Sequence, residues 1–535
     1  VARRHERLKA GPAPETARRL RSNDLWRALG LIIALLLAYL PVWRAGFIWD
    51  DKVNLQDDPA MRAADGLLTV WTRSSGLDYL PVTQSLWWSE VHVFGPNPLG
   101  YHLVCLALHI IGVLILWRVL LRLMPRAALP AALLFGLHPL CVASVSWITE
   151  TKNSLSFVLY GVATWCFLLE TTPWLAVSVL CYALALLAKA TGILLPLALV
   201  AMRAWQRGTL ERKSLRQGAV YLPFAVAAAV VTIWFQQHHA MPDLDVRPEG
   251  WLSRLAAVGW IAIFYCQKIF WPSGLCMVYP RFEVPVSLLG FVPDLTLLVV
   301  LAVAWRHRAA GGWPILLAAG WFALMLAPVS GLVKMSFHRF SLVSDHFVYL
   351  ALIGPTAWLA WQVGRLPRAA ALLAWGTLAL ALGCGTFLHA RDYESPEALW
   401  TANLRAYPNT SVALDWVGLL RAEEGRLDEA GTYFERAIAA DPQADEPHVH
   451  LGNVLAGRGQ FAAAVEEYQA AIRLAPHNAH GRHNLALSLE ALGRYDEAVS
   501  ELQFAVDHCR PVEPATQAEL ERLRSAMNAQ RHLTK

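Results

Sequence analysis

Two adjacent carboxylates, Asp50 and Asp51, close the segment Gly46-Phe47-Ile48-Trp49-Asp50-Asp51, which follows the first long apolar run, Leu29–Leu40. Neighbouring carboxylates repel, and at a low-dielectric boundary the charged form is costly unless cations or hydrogen bonds offset it. One of the pair with a raised pKa would suit a general base acting on a hydroxyl nucleophile. The plainer alternative is an Asp-Asp pair that merely opens a hydrated loop. Asp57 and Asp58 precede Pro59, where a turn accounts for them. His102 and His109 lie seven residues apart and share one face of a helix. That face either buries hydrogen-bonded imidazoles or lines a polar cavity, since ionisable groups inside a membrane are expensive without a role. The eight cysteines show no metal-type spacing and read as small buried hydrophobes.

The elements that must hold these groups are membrane helices. Hydrophobic residues make up 56% of the 535 and charged ones only 16%, against about 25% charged in a soluble domain. Apolar stretches near 28–45, 102–123, 128–146, 154–170, 174–189, 191–206, 217–236, 285–305, 313–330, 346–363 and 369–389 give about eleven spans. Residues 251–275 read as a re-entrant or interfacial element. Basic residues mark cytoplasmic loops: the N-terminus 1–27, Arg118–Arg126, Arg203–Arg216, Arg306–Arg308 and Arg365–Arg368. The first apolar run reads as an uncleaved span. An odd number of crossings places the loop 46–100 and the C-terminal tail together on the outer face of an inner or plasma membrane.

The tail repeats. Gly418, Ala430, Phe434, Ala437 and Pro442 recur 34 residues later as Gly452, Ala464, Tyr468, Ala471 and Pro476, with a weaker copy at Ala486, Ala498 and Ala505. This is the tetratricopeptide (TPR) period. It predicts a degenerate half-repeat over 391–410, three repeats over 411–512 and a capping helix and tail over 513–535. The concave face of such a solenoid binds peptides. Asn453, Arg458, His483 and Asn484 are candidate contacts there, with ordinary surface solvation as the alternative.

Several strings occur in one order along the chain: Phe47-Ile48-Trp49-Asp50-Asp51, Tyr79-Leu80-Pro81, Gly100-Tyr101-His102, His138-Pro139-Leu140, Trp147-Ile148-Thr149-Glu150, Lys152-Asn153-Ser154, Lys189, Lys268 and Ser344-Asp345-His346 through Tyr349. In that order they resemble the transmembrane-and-TPR-containing protein O-mannosyltransferase-like family of GT-C fold membrane glycosyltransferases, with this chain a bacterial-type member. The resemblance implies an all-α polytopic body over 28–390. It also implies a polyprenyl-phosphate sugar as donor, transfer of mannose to hydroxyls of exported protein, and an acceptor recruited by the TPRs. Asp50 and Asp51 would then carry the base role, without distinction between them. Lys152, Lys189, Lys268, Asp345 and His346 would face the donor phosphate, and His102, His138, Glu150 and Tyr349 would line the cavity.

Three departures from the family pattern stand out: Ala143 for a glutamate, and Thr151 and His346 for arginines. Histidine lacks the bidentate fork of arginine. The competing readings are a non-catalytic membrane TPR scaffold or pseudoenzyme, and a glycosyltransferase acting on lipid or surface glycan. Membrane lipids are expected partners and nucleic acid is not; whether a divalent cation joins the Asp pair stays open.

Overall fold

The computed structural model describes residues 22–72, 78–240, 246, 249–308, 312–509 and 514–533. Most of the basic N-terminus 1–27 therefore lies outside the described residues. Every regular element among the described residues is helical, as the apolar runs and the 34-residue period require. The chain divides into two compact units, one built on residues up to Leu399 and the other on Trp400 onwards with Val278–Pro280.

In the first unit, Pro98–Leu123 is the long central helix. Asn97 caps it by accepting from the Leu99 N–H at 3.1 Å, and Pro98 occupies the first turn, where its missing donor costs nothing. Gly112 lets the helix Thr151–Phe167 approach closely: a Cβ there would lie 2.3 Å from the Phe157 ring. Between these two helices, the stretch expected as one span at 128–146 is broken. Ala128–Gly136 and Pro139–Ser146 meet at a 58° bend, because Pro139 cannot continue the helical ladder. The bend carries Trp147–Glu150 into the interior, where Glu150 is 1% exposed.

Three described helices are long and apolar enough to cross a membrane: Pro98–Leu123, Arg212–Ala240 and Arg368–Arg391; the bent pair makes a fourth. Several of the apolar windows exceed the helices inside them. Leu195–Arg207 has 13 residues, Val292–Arg306 has 15 and Ile353–Val363 has 11. The window at 346–363 loses its first residues to the short helix Asp345–Val348. Hydropathy does not register the turns that bury polar side chains. Trp251–Phe270 is one unbroken 20-residue helix, which leaves no re-entrant turn within it.

The second unit is a ladder of helix pairs: Ser411–Glu423 with Leu427–Ala440, Glu446–Gly457 with Phe461–Leu474, and Ala479–Ala491 with Tyr495–His508. Pro514–Leu533 follows, burying Leu520 and Leu523. The turns within pairs place Gly425, Gly459 and Gly493 at φ of 77°, 76° and 76°, which only glycine adopts without strain. Gly418 and Gly452 act differently, by admitting a ring from the partner helix. A Cβ on Gly452 would sit 2.6 Å from the Tyr468 ring, whose hydroxyl is tied to Asn453 Oδ1 at 2.7 Å. Alanine gains up to about 1 kcal/mol of helix propensity, but overpacking against a held ring costs about 1–3 kcal/mol. Gly452→Ala should therefore lower the denaturation midpoint of the second unit, and an unchanged or raised midpoint would refute this packing account.

Candidate active site

The loop after the helix Ser22–Ala38 is anchored before it reaches the carboxylates. Gly46 N–H donates to the Glu394 carbonyl at 3.0 Å, and His102 Nε2 lies 3.3 Å from the Gly46 carbonyl. Of the two histidines on one face, His102 thus supports the loop. His109 is buried against Tyr349 Oη (2.7 Å) and the Gly136 carbonyl (3.1 Å).

The two carboxylates differ in what they touch. Asp51 is fully buried; its Oδ2 accepts from Ile48 N–H at 2.9 Å and its Oδ1 from Thr149 N–H at 2.8 Å. It stitches its own turn to the Trp147–Glu150 segment. Asp50 is half-buried, and its Oδ1 accepts from Trp147 Nε1 at 2.9 Å and Thr149 Oγ1 at 2.6 Å. Its Oδ2 has no hydrogen-bond partner among the described residues. Burial raises the Asp50 pKa; Lys152 and the Thr149 bond pull it back, while the Glu150 charge adds to the rise. Burial, then the charge of Asp50, pushes Asp51 up to about 8 against its two backbone donors.

Trp49 holds a φ of 43°, unusual for a bulky residue. Its ring stacks on Trp147 (5.6 Å between centroids, 12° between planes) and meets Phe337 at 6.1 Å and Phe340 at 5.6 Å. The aromatic clamp stabilises a backbone angle that would otherwise relax, and so aims the next residue, Asp50.

Beside Asp50 lies a buried charge cluster centred on Glu150. Lys152 Nζ is 3.0 Å from Oε1, Lys189 Nζ is 2.8 Å from Oε2, and Asn153 Nδ2 donates to Oε2 at 2.6 Å. Both lysines are 14% exposed. Burial alone would raise the Glu150 pKa, but Lys152 and Lys189 hold it below the ordinary carboxylate range. His346 Nε2 stands 3.9 Å from Oε1, and its Nδ1 shares a 2.7 Å hydrogen bond with Ser344 Oγ. Lys152 also lies 6.0 Å from the centre of the Trp147 ring, the residue that donates to Asp50. Three carboxylates, Asp50, Asp51 and Glu150, and two lysines thus lie together around Trp147 and Thr149. Asp50 Oδ2 remains without a hydrogen-bond partner among the described residues, and the two ammonium groups lie beside it, with Asp50 and Asp78 adding to the field of Glu150 on Lys152.

Other expected site residues are placed elsewhere. His138 engages both ring nitrogens, with the Ile269 carbonyl at 2.9 Å and Leu140 N–H at 3.2 Å. Both ring nitrogens are thus held by the fold at the bend. Tyr349 is 1% exposed and hydrogen-bonded to His109. Lys268 Nζ donates to the carbonyls of Ser273 (2.6 Å) and Gly274 (3.2 Å) at the end of its own helix. Asp345 Oδ2 lies 3.6 Å from His389 Nε2, whose Nδ1 is 3.0 Å from Asp392 Oδ2. Sequence reasoning passes over Trp147, Thr149 and His389 as functional side chains. An acid three residues after His389 is the one local signal for that pair.

In the repeat unit, Asn453 Oδ1 accepts from Asn484 Nδ2 at 2.8 Å, so these two form a continuous polar strip on successive repeats. Arg458 instead bridges back to Asp428 at 2.6 Å, and His483 meets Thr516 at 3.1 Å on the closing helix. His450 pairs with Asp415 at 2.8 Å. Burial lowers the pKa of His450, but the Asp415 partner outweighs it and the net direction is up.

Fold and site together define an all-helical membrane protein with a buried acid–lysine cluster, followed by a TPR solenoid. The tetratricopeptide repeat family matches residues 386–445 and 450–512. The membrane body and the repeats together are similar to Protein O-mannosyl-transferase Tmtc3 of Drosophila melanogaster, at 22% identity over 89% of this chain and 61% of that protein. They are similar also to Protein O-mannosyl-transferase TMTC3 of Homo sapiens, at 22% identity over 86% of this chain and 56% of that protein. The chain therefore spans less than two thirds of the length of each of these relatives. Among solved structures, ArnT from Cupriavidus metallidurans bound to undecaprenyl phosphate is similar at 13% identity and a TM-score of 0.35, covering 91% of this chain and 82% of that one.

Proposed function

We propose that this chain is an inverting membrane glycosyltransferase of GT-C type, moving a sugar from a polyprenyl-phosphate donor to a hydroxyl of an exported protein. The observation that carries this reading is the free Asp50 oxygen beside the lysine pair on Glu150. Asp50 Oδ2 takes the proton of the acceptor hydroxyl as its oxygen attacks the anomeric carbon. The bond from that carbon to the phosphate oxygen breaks, and polyprenyl phosphate leaves with the electron pair. Lys152 and Lys189 face the negative charge that develops there. Glu150 is the only carboxylate paired with both ammonium groups among the described residues, so in this reading the lysines keep N–H donors for a phosphate in place of the arginines absent at Thr151 and His346. Asp51 positions rather than reacts. Mannose is the sugar to test first, given the activity in the names of the relatives.

The geometry of the first unit supports an outer-face site. The helix Pro98–Leu123 begins beside the Asp50 loop, where His102 meets Gly46, and ends at the basic turn that holds Arg126. At 1.5 Å per residue, its length from His102 onward separates the two by about 30 Å, the thickness of a bilayer core. With basic turns inside, Asp50 faces outward. The repeats lie on that same side in this reading, where the Asn453–Asn484 strip receives the acceptor polypeptide.

The test is transfer from radiolabelled polyprenyl-phosphate mannose to protein in membranes that contain or lack the full chain, with glycopeptides read by mass spectrometry. Chain-dependent Ser or Thr hexose is expected. Transfer to lipid or glycan alone would change the acceptor class, and no transfer with any polyprenyl-linked sugar would sink the enzyme reading. Removing residues 411–535 should depress transfer to intact protein far more than transfer to a short peptide; equal loss would refute recruitment by the repeats.

A further inference from the structure

A groove of about 1030 Å³ opens in the first unit at the end opposite the Asp50 loop. Its walls come from the helices Pro98–Leu123, Thr151–Phe167, Leu195–Arg207, Trp313–Leu326 and Ile353–Val363, and are almost wholly apolar. Three polar side chains along it are engaged within the fold: Tyr160 donates to the Lys189 carbonyl at 2.8 Å, Thr164 to the Tyr160 carbonyl at 2.8 Å, and Trp321 to the Leu350 carbonyl at 2.8 Å. The charged residues that line the groove are Arg126 and Arg365. They come from turns far apart in sequence yet lie on the same groove, both exposed. Neither has a carboxylate partner among the described residues; Arg365 bonds only the neutral Gln362 side chain, at 3.2 Å, and lies over the Trp361 ring.

A groove of this size and polarity within hydrocarbon is filled by hydrocarbon, because water would find no partners there. Two unneutralised guanidinium groups at its mouth call for an anion, and their planar forks match phosphate oxygens. We propose that this groove is a binding site for one anionic phospholipid, with its acyl chains along the tryptophan- and leucine-lined walls and its phosphate between Arg126 and Arg365. The proposed occupant is distinct from the sugar donor: in the reading above the donor phosphate belongs at Lys152 and Lys189, whereas the guanidinium groups of this groove include Arg126, just past the far end of the helix Pro98–Leu123. The site is independent of the proposed catalysis, since it needs only that the body sits in a membrane. Its position at the basic end assigns the lipid to the leaflet opposite the Asp50 loop.

Native mass spectrometry of the detergent-purified full chain tests this, with phosphatidylglycerol, phosphatidylcholine of the same acyl chains, and polyprenyl phosphate each added in turn. Phosphatidylglycerol should be retained about 10- to 30-fold better than phosphatidylcholine, the preference two arginines supply at a lipid headgroup. Arg126→Gln with Arg365→Gln should abolish that preference while leaving weak binding of both lipids. Ala357→Trp, which fills the groove, should expel both. Equal retention of the two lipids by the unaltered chain overturns the proposal, as does a preference that survives the double substitution. Displacement of phosphatidylglycerol by equimolar polyprenyl phosphate also overturns it, since the groove would then belong to the donor.

Discussion

Asp50→Asn is expected to lower sugar transfer by about 10²–10⁴-fold, the usual contribution of a general base, with the fold intact. The substitution keeps the Oδ1 acceptor for Trp147 and Thr149, so the loop loses little, while Oδ2, the atom with no partner, becomes an amide that cannot take a proton. Asp51→Asn should do the reverse. Both Asp51 oxygens accept backbone N–H bonds, and an amide turned towards one of them loses a buried bond, at about 1–3 kcal/mol. Its signature is a lower denaturation midpoint with residual transfer at low temperature. Transfer measured in membranes beside the melting midpoint separates the two roles; a folded Asp50→Asn chain with full activity would remove the base assignment.

The pH profile carries the same distinction. In this reading the base acts ionised and its pKa is raised, foremost by burial, so transfer should climb with pH through that raised value. Asp51, whose folded pKa lies near 8 and above the ordinary aspartate range, contributes stability that is complete in acid and is lost as pH rises through about 8. Above that point a second charge appears beside Asp50 and the loop weakens, so a decline on the alkaline side is expected. In Asp51→Asn the alkaline decline should disappear.

The second large effect belongs to Glu150. Glu150→Gln removes the carboxylate that pairs with both buried lysines, Lys152 and Lys189, and breaking a buried pair from one side costs about 3–5 kcal/mol. Thermal or urea denaturation in detergent should show a loss of that size. Adding Lys189→Met should restore part of the stability, because one cation left without its paired carboxylate is gone. It should not restore transfer, because a cation for the leaving phosphate is gone as well. If stability and transfer recover together, the lysine serves the fold and not the donor. The Glu150 pKa is depressed, so its contribution is complete above the ordinary glutamate range and is lost as pH falls through the folded value.

The broad architecture is legible in the sequence. Helical membrane body and repeat solenoid follow from apolar run length and from a 34-residue period, and both are properties of neighbouring residues. The period even places the close contacts, since Gly418 and Gly452 are small for the ring that each must admit. Asp50 and Asp51 are conspicuous because adjacent carboxylates at an apolar boundary demand an explanation. Lys152 and Lys189 stand out because cations there do too.

What only the tertiary structure decides is which of two identical side chains is free. Asp50 and Asp51 differ by one position, and no local pattern predicts that Thr149, some hundred residues on, presents its N–H to one and its hydroxyl to the other. The same holds for His138 and Tyr349, whose motifs look functional until the bend at Pro139 and the His109 contact show them engaged within the fold. Arg126 and Arg365 read as topology signals in sequence and become a shared groove mouth only when their helices pack. Residue type and local spacing determine which groups are costly to bury. Packing between distant segments determines which of them are satisfied, and the ones left unsatisfied are where chemistry and ligands enter.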